Sequence, residues 1–280
     1  MDSAVFAAVI AAAAMHAGWN AVVKIGLDRF LSVTLIALAA GVVSLACLPF
    51  TELPRGTVWY WILGSAVLHT AYKIFLVQAY KAGDLGQVYP LARGTAPLIV
   101  AAVSLVALTE GLDTGNLFGI FVLVAGVWLM ALRGGHQVKH LNCTAVLFAF
   151  GTSCFIASYT LVDGLGARQA ATATSYALAL FIVDAILIAI LCAALRGRAG
   201  FRKMAAVWKS GFAGGAMSLG AYWISIWAMT QAPIASVAAL RESSVLFALV
   251  IATVVLKEKL TPWRLAAGLV ITGGTVLLRL

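Results

Sequence analysis

Five charged side chains lie inside runs of apolar residues: Lys73, Arg93, Asp184, Arg241 and Glu242. A charge at the centre of a membrane helix costs roughly 2.5–3.5 kcal/mol on insertion scales, so each such position is a candidate ion pair or binding site; for Lys73, Arg93 and Arg241 the alternative is a long side chain that snorkels to the interface. Arginine presents a planar fork of donors that fits a carboxylate, phosphate or phosphonate. Three cations against two acids point to an anionic group on a ligand. Glu242 directly follows Arg241, so their side chains diverge by about 100° around a helix. Glu242 can pair with a neighbour such as Lys73, or carry a coupling proton, and the same choice applies to Asp184.

Histidine changes charge near neutral pH. His16 and Asn20 share a helix face one turn apart, and His69 lies near Tyr72 and Lys73. We treat His16, His69, Asp184 and Glu242 as ion-coupling candidates. Arg93, Arg241, Lys73, Tyr72, Tyr222, Trp223 and Asn20 are substrate-binding candidates. Tyrosine and tryptophan can line a pocket with apolar rings and a polar tip, or simply pack. Trp59, Tyr60 and Trp61 form an interfacial belt at a helix start. No His/Cys/Asp/Glu set has metal-ligand spacing, and Cys47, Cys143, Cys154 and Cys192 sit in apolar runs without a CxxC pair. No nucleotide-binding P-loop is visible. No acid/base or nucleophile constellation suits an enzyme, and no cofactor is implied.

These residues must be positioned by membrane helices. The 280 residues are 63% hydrophobic and 10% charged, against roughly 25% charged in a soluble domain. The chain cannot cover itself with polar surface in water and reads as a polytopic membrane protein. The start, MDSAVF, carries no basic n-region, so the first apolar run reads as a span. Breaks in hydropathy predict ten spans, at 3–23, 30–50, 57–80, 86–109, 115–133, 142–162, 173–195, 206–230, 234–256 and 262–280. Helices are required because backbone groups in lipid must pair internally. Thr261-Pro262 suits a helix start. Pro90 and Pro97 can kink the helix that carries Arg93.

Arg93 and Glu110 recur as Arg241 and Glu258, an identical offset of 148 residues (241 − 93 and 258 − 110). Leu98, Val106, Leu108 and Leu112 match Leu246, Val254, Leu256 and Leu260 at that offset. The chain therefore reads as two copies of one unit: 1–134, a central loop 135–141 with His136 and His140, and 142–280. Five spans per copy is an odd number, so the second copy is inverted, an arrangement that places a substrate between the halves near the midplane. Glu110 and Glu258 close a span in each copy and suit a structural duty, such as holding the following loop or capping the next helix. Gly214-Gly215, Gly220, Gly268 and Gly273-Gly274 suit close helix packing.

The close of each copy resembles a known family. Leu256-Lys-Glu-Lys-Leu-Thr261, Trp263-Arg-Leu-Ala-Ala-Gly268 and Ile271-Thr-Gly-Gly-Thr-Val-Leu-Leu278 resemble the closing signature of an EamA domain of the drug/metabolite transporter superfamily. Leu108-Thr-Glu-Gly-Leu112, Gly119 and Ala125-Gly-Val127 are a degenerate version, and His16-Ala-Gly-Trp-Asn20 resembles an opening segment many members carry. The resemblance implies an all-α transporter with ten transmembrane helices as two inverted five-helix repeats. It leaves the substrate open, since such proteins move amino acids, sugars, nucleotide sugars, phosphorylated sugars, drugs and other metabolites.

Residues and resemblance together lead us to expect a secondary transporter of a small polar metabolite, anionic or zwitterionic, in a bacterial cytoplasmic membrane. An amino acid, organic acid or organophosphorus compound would fit. An exporter of amphipathic compounds and a lipid-linked carrier flippase are the alternatives. The expected partners are the substrate and the lipid bilayer, not nucleic acid, with the chain a monomer or homodimer. Orientation is divided. Thirteen of the 19 lysines and arginines fall in loops of one side and only Arg55, Arg168 and Arg279 on the other. The positive-inside rule then puts both termini outside, whereas the resemblance implies cytoplasmic termini.

Overall fold

The computed structural model describes residues 1–23, 27–82, 91–108, 110–132, 143–255, 257 and 260–280. The central loop 135–141 with His136 and His140, and Pro90, Leu256 and Glu258, lie outside them. The described elements are all helical. They are α1 (Ser3–Val23), α2 (Arg29–Cys47), α3 (Val58–Ala82), α4 (Leu91–Leu108), α5 (Thr114–Leu132), α6 (Cys143–Gln169), α7 (Ala173–Ala205), α8 (Trp208–Gln231), α9 (Ile234–Val254) and α10 (Pro262–Leu277). Seven are long and apolar enough to cross a membrane: α1, α2, α3, α4, α6, α7 and α9. Thr114–Met130 in α5 is a shorter apolar stretch.

Helix starts follow local chemistry. Asp28, Thr172 and Thr261 accept hydrogen bonds from the amides of Leu31, Ser175 and Arg264. Each satisfies a donor left free in a first helical turn. Asp113 does the same for α5, accepting from the Asn116 amide at 2.7 Å. That bond holds the Asp113 carboxyl below the usual carboxylate range. Thr261 followed by Pro262 opens α10, as its sequence predicts.

Two helix ends differ from expectation. The run at 142–162 extends as α6 to Gln169, so Asp163, Gly164, Gly166 and Arg168 belong to the helix rather than to a loop. Gly197 has φ +56° and ψ −160° within α7. Only glycine adopts such angles without penalty, so the chain turns there. An exposed basic tail with Arg198, Arg202 and Lys203 leaves the spanning part of α7.

The helices pack in a definite pattern. α1 lies on α8, α3 on α6, and α2 on α7 and α8; α3 also meets α7, α5 lies on α10, and α4 touches α6 and α9. Several helices approach closely at glycines. A Cβ on Gly274 would collide with the Leu123 amide nitrogen, and one on Gly126 would sit 2.7 Å from that of Ile271. α5 and α10 are therefore in backbone contact, as close small-residue packing allows. Gly215 meets Ala40 in the same way across α2 and α8. Gly273 faces open space and Gly268 makes ordinary contacts, so those two do not serve close packing.

The polarity pattern is the reverse of a soluble protein's. Val42, Leu45, Phe121, Ile186, Ile190 and Leu269 are exposed, while Lys73, Arg93, Asp163, Asp184, Arg241 and Glu242 are buried. Apolar faces outside and charges inside suit a lipid surround with a polar centre.

Candidate functional site

The site starts from two broken helices. α4 is interrupted at Thr95, two residues past Arg93, and α9 at Glu242 and Ser243, immediately past Arg241. In α4 the cause is Pro97, which has no N–H to donate to the carbonyl of Arg93 four residues back. In α9 the Val245 amide bonds Glu242 O instead of reaching Arg241, and Ser243 N bonds Leu240 O, a tighter i→i+3 pattern. The matched arginines thus stand at matched breaks. Arg241 ends one half-helix and Glu242 precedes the next, which places a cation at a negative helix end and an anion at a positive one. Ser153 of α6 steadies the first break by donating to Ala92 O at 2.7 Å.

Glu110 holds the start of the half-helix that ends in Arg241. Its Oε2 accepts from the Ile234 amide at 3.0 Å, and its Oε1 pairs with Arg168 at 2.7 Å. Arg168 in turn donates to the carbonyls of Met229 and Ala232 at the end of α8. Glu110 therefore caps a helix of the other half of the chain rather than the helix that follows it. Arg168 is a helix-terminal clamp, not a loop charge.

The buried charges pair differently from expectation. Lys73 binds both oxygens of Asp184 at 2.5 Å. Arg93 donates to both oxygens of Glu242, from Nε at 3.2 Å and from Nη2 at 2.8 Å. Glu242 thus meets Arg93, not Lys73. Arg241 makes no ion pair or hydrogen bond among the described residues. It is 8% exposed, with its guanidinium carbon 4.8 Å from the centre of the Tyr222 ring. At the offset that relates Arg93 to Arg241, the residue equivalent to Glu242 is Gly94. The first copy has no acid there to serve Arg241.

A third acid, Asp163, was missing from the expected set. It is 0% exposed. Its Oδ1 accepts from the Tyr176 hydroxyl at 2.9 Å, and its Oδ2 accepts from the Tyr222 hydroxyl at 2.5 Å and lies 3.2 Å from His69 Nε2. Tyr159, one turn before Asp163, stacks on His69 with centroids 3.9 Å apart and meets Tyr72 and Tyr222 edge-on. Ending the span at residue 162 left this acid in a loop. A helix-period reading through Gly164 and Gly166 would have kept it inside.

Most of these groups face one cavity of about 80 Å³. Of the residues predicted for the site, His16, His69, Tyr72, Lys73, Arg93, Asp184, Tyr222 and Arg241 line it, joined by Tyr159. Glu242 is buried beside it against Arg93. Asn20 instead donates its amide to the carbonyl of His16 at 2.8 Å. Trp223 lies away from the cavity, 41% exposed, with its indole donating to Thr174 Oγ1. His16 Nδ1 accepts from the indole of Trp19 at 3.2 Å. A neutral imidazole then carries its proton on Nε2, and that buried nitrogen has no hydrogen-bond partner among the described residues. Among the described residues the cavity therefore holds an N–H donor without an acceptor and a cation without an acid, inside an aromatic lining.

Comparison with known proteins places this geometry in context. Residues 3–132 and 144–280 each match the EamA-like transporter family. No curated protein matches the sequence significantly. One solved crystal structure is 18% identical and superposes with a TM-score of 0.75, over 99% of this chain and 96% of its own. At that identity the likeness is one of fold.

Proposed function

Because this chain belongs to the EamA-like transporter family, and is thereby a multi-pass membrane transporter of small molecules, we propose that it is a secondary transporter of a small polar metabolite bearing an anionic group. The substrate is anionic or zwitterionic: an amino acid, an organic acid or an organophosphorus compound. The observation that carries this reading is Arg241, a buried cation on the cavity wall with no carboxylate partner among the described residues. A buried charge in that state is costly unless something pairs with it. The Nε2–H of His16, without a partner among the described residues, supplies a second donor toward the same cavity. A substrate oxyanion satisfies both. Lys73 and Arg93 are already neutralised and shape the site instead.

Alternating access between inverted repeats supplies the mechanism. The helix contacts support two equivalent copies: exchanging the first five helices with the last five maps the α1–α8 pair onto α6–α3 and the α2–α8 pair onto α7–α3, and returns α2–α7, α4–α9 and α5–α10 to themselves. We place the copies at 1–134 and 142–280. With five helices in each, one copy must be inverted, and rocking of one against the other opens the central site to alternate sides. Exchange or an ion gradient drives the cycle. The protein works in a bacterial cytoplasmic membrane, with its basic loops inside.

The test is a thermal-shift screen of purified protein against amino acids, organic acids and phosphonates, followed by uptake into proteoliposomes. A carboxylate or phosphonate should stabilise the native protein. Arg241→Gln should abolish that stabilisation and the uptake, with Arg241→Lys intermediate because a point charge replaces the fork. Stabilisation by organic cations alone, or full uptake by Arg241→Gln, would sink the proposal.

A further inference from the structure

Asp163 is the most deeply buried charge in the described structure, and substrate binding does not explain it. Tyr176, Tyr222 and His69 engage both its oxygens, and it is not among the residues that line the cavity, so it does not stand where a substrate ammonium would meet it. The group that links it to the cavity is His69, whose side chain is 14% exposed and lines the wall. We propose that the His69–Asp163 pair is the proton-binding site of the transport cycle, with His69 receiving the proton from the cavity and Asp163 holding the counter-charge.

The bonding assigns the atoms. Asp163 accepts hydroxyl hydrogens at both oxygens, as an ionised carboxylate does. The third contact is then a donor, His69 Nε2–H, and the neutral ring keeps its lone pair on Nδ1. A proton from cavity water adds to Nδ1; no other bond is made or broken. The ring becomes an imidazolium whose charge Asp163 balances at 3.2 Å. Histidine is the side chain suited to this change near neutral pH.

The neighbours make the pair responsive to substrate. Tyr159 stacks on His69, and Tyr222 meets it edge-on with centroids 5.3 Å apart. Tyr222 joins the two sites, with its hydroxyl on Asp163 and its ring against Arg241. Tyr176 completes the cage from α7. The other charges of the cavity are Lys73 with Asp184, Arg93 with Glu242, and Arg241; His16 lines the same wall. A proton on His69 adds positive charge to a cavity that already contains an uncompensated arginine. It thereby favours entry of an anionic group, and an anion favours the proton by the same factor. Proton and anion load together.

The test is first made without any organic substrate, so its outcome is independent of the anion reading. Proteoliposomes on a solid-supported membrane receive a pH jump, and the transient charge displacement is recorded. Wild type should give a displacement well above protein-free liposomes. His69→Gln keeps a donor toward Asp163 but cannot titrate, and should reduce the displacement about tenfold or more. Asp163→Asn should also reduce it, and Trp223→Phe, remote from the cavity, should leave it intact. If Asp163→Asn does not fold, judged by size exclusion, His69→Gln decides alone. No displacement in wild type, or an unchanged one in His69→Gln, overturns the proposal. A second arm measures thermal stabilisation by an anion found in the screen, across pH. Stabilisation should strengthen toward acid in wild type and lose that dependence in His69→Gln; persistence of the dependence there would defeat the coupling.

Discussion

Arg93 and Arg241 are repeat equivalents, yet removing them should have opposite consequences. Arg93 and Glu242 form a two-point ion pair with side chains 5% and 4% exposed. Arg93→Ala leaves Glu242 buried without its partner. Removing one member of a buried pair costs about 3–5 kcal/mol, or roughly two to four orders of magnitude in the folding equilibrium. Arg241→Ala leaves no carboxylate stranded. It loses a cation–π contact worth about 0.5–2 kcal/mol and removes a buried charge worth roughly 2.5–3.5 kcal/mol of insertion penalty. The net effect on stability should be near zero or favourable. The double variant Arg93→Met/Glu242→Met should recover most of the loss, because apolar groups replace both charges. The assay is equilibrium unfolding of purified protein in mixed micelles for both single variants and the double. Equal losses for Arg93→Ala and Arg241→Ala would refute the pairing argument, as would a double variant no more stable than Arg93→Ala.

Further outcomes follow from particular contacts. Gly274→Ala pushes a Cβ into the backbone of Leu123 and should destabilise by about 1–3 kcal/mol; Gly273→Ala next to it meets nothing within 4 Å and should be tolerated or slightly stabilising, by thermal unfolding of both. Glu110→Ala removes the cap on Ile234 and should lower stability by about 0.5–2 kcal/mol, with Glu110→Gln less affected in the same measurement. A single cysteine at position 199, in the exposed basic tail past Gly197, should resist an impermeant thiol reagent added to intact cells and react once they are opened; ready labelling from outside would reverse the orientation read from the basic loops.

Hydropathy found the helical runs with ends within a few residues, except where polar residues extend a helix. Asp163 shows why. A charge followed by Gly164 and Gly166 reads as a span end in sequence, but Tyr176, Tyr222 and His69 satisfy the carboxylate and let α6 continue to Gln169. The site was legible in part. Intramembrane charge pointed to four of the cavity-lining groups, Lys73, Arg93, Asp184 and Arg241, and histidine or aromatic character to four more, His16, His69, Tyr72 and Tyr222; Trp223 and Asn20 face elsewhere, because residue type says nothing of helix rotation.

By itself the sequence determined the all-helical membrane class, the duplication, and the arginines at the heart of each copy. Those follow from local causes: apolar length, backbone self-satisfaction in lipid, and residue identity at a fixed offset. Only the tertiary structure decided which charges neutralise each other. Lys73 meets Asp184 across 111 residues and Arg93 meets Glu242 across 149, distances along the chain over which only helix crossing and rotation bring groups together. At the repeat offset the first copy carries Gly94 where the second carries Glu242, so the pairing that serves Arg93 has no counterpart for Arg241. The repeated arginine thus became a structural tie in one copy and, in the other, a buried cation that meets the Tyr222 ring and forms no ion pair among the described residues.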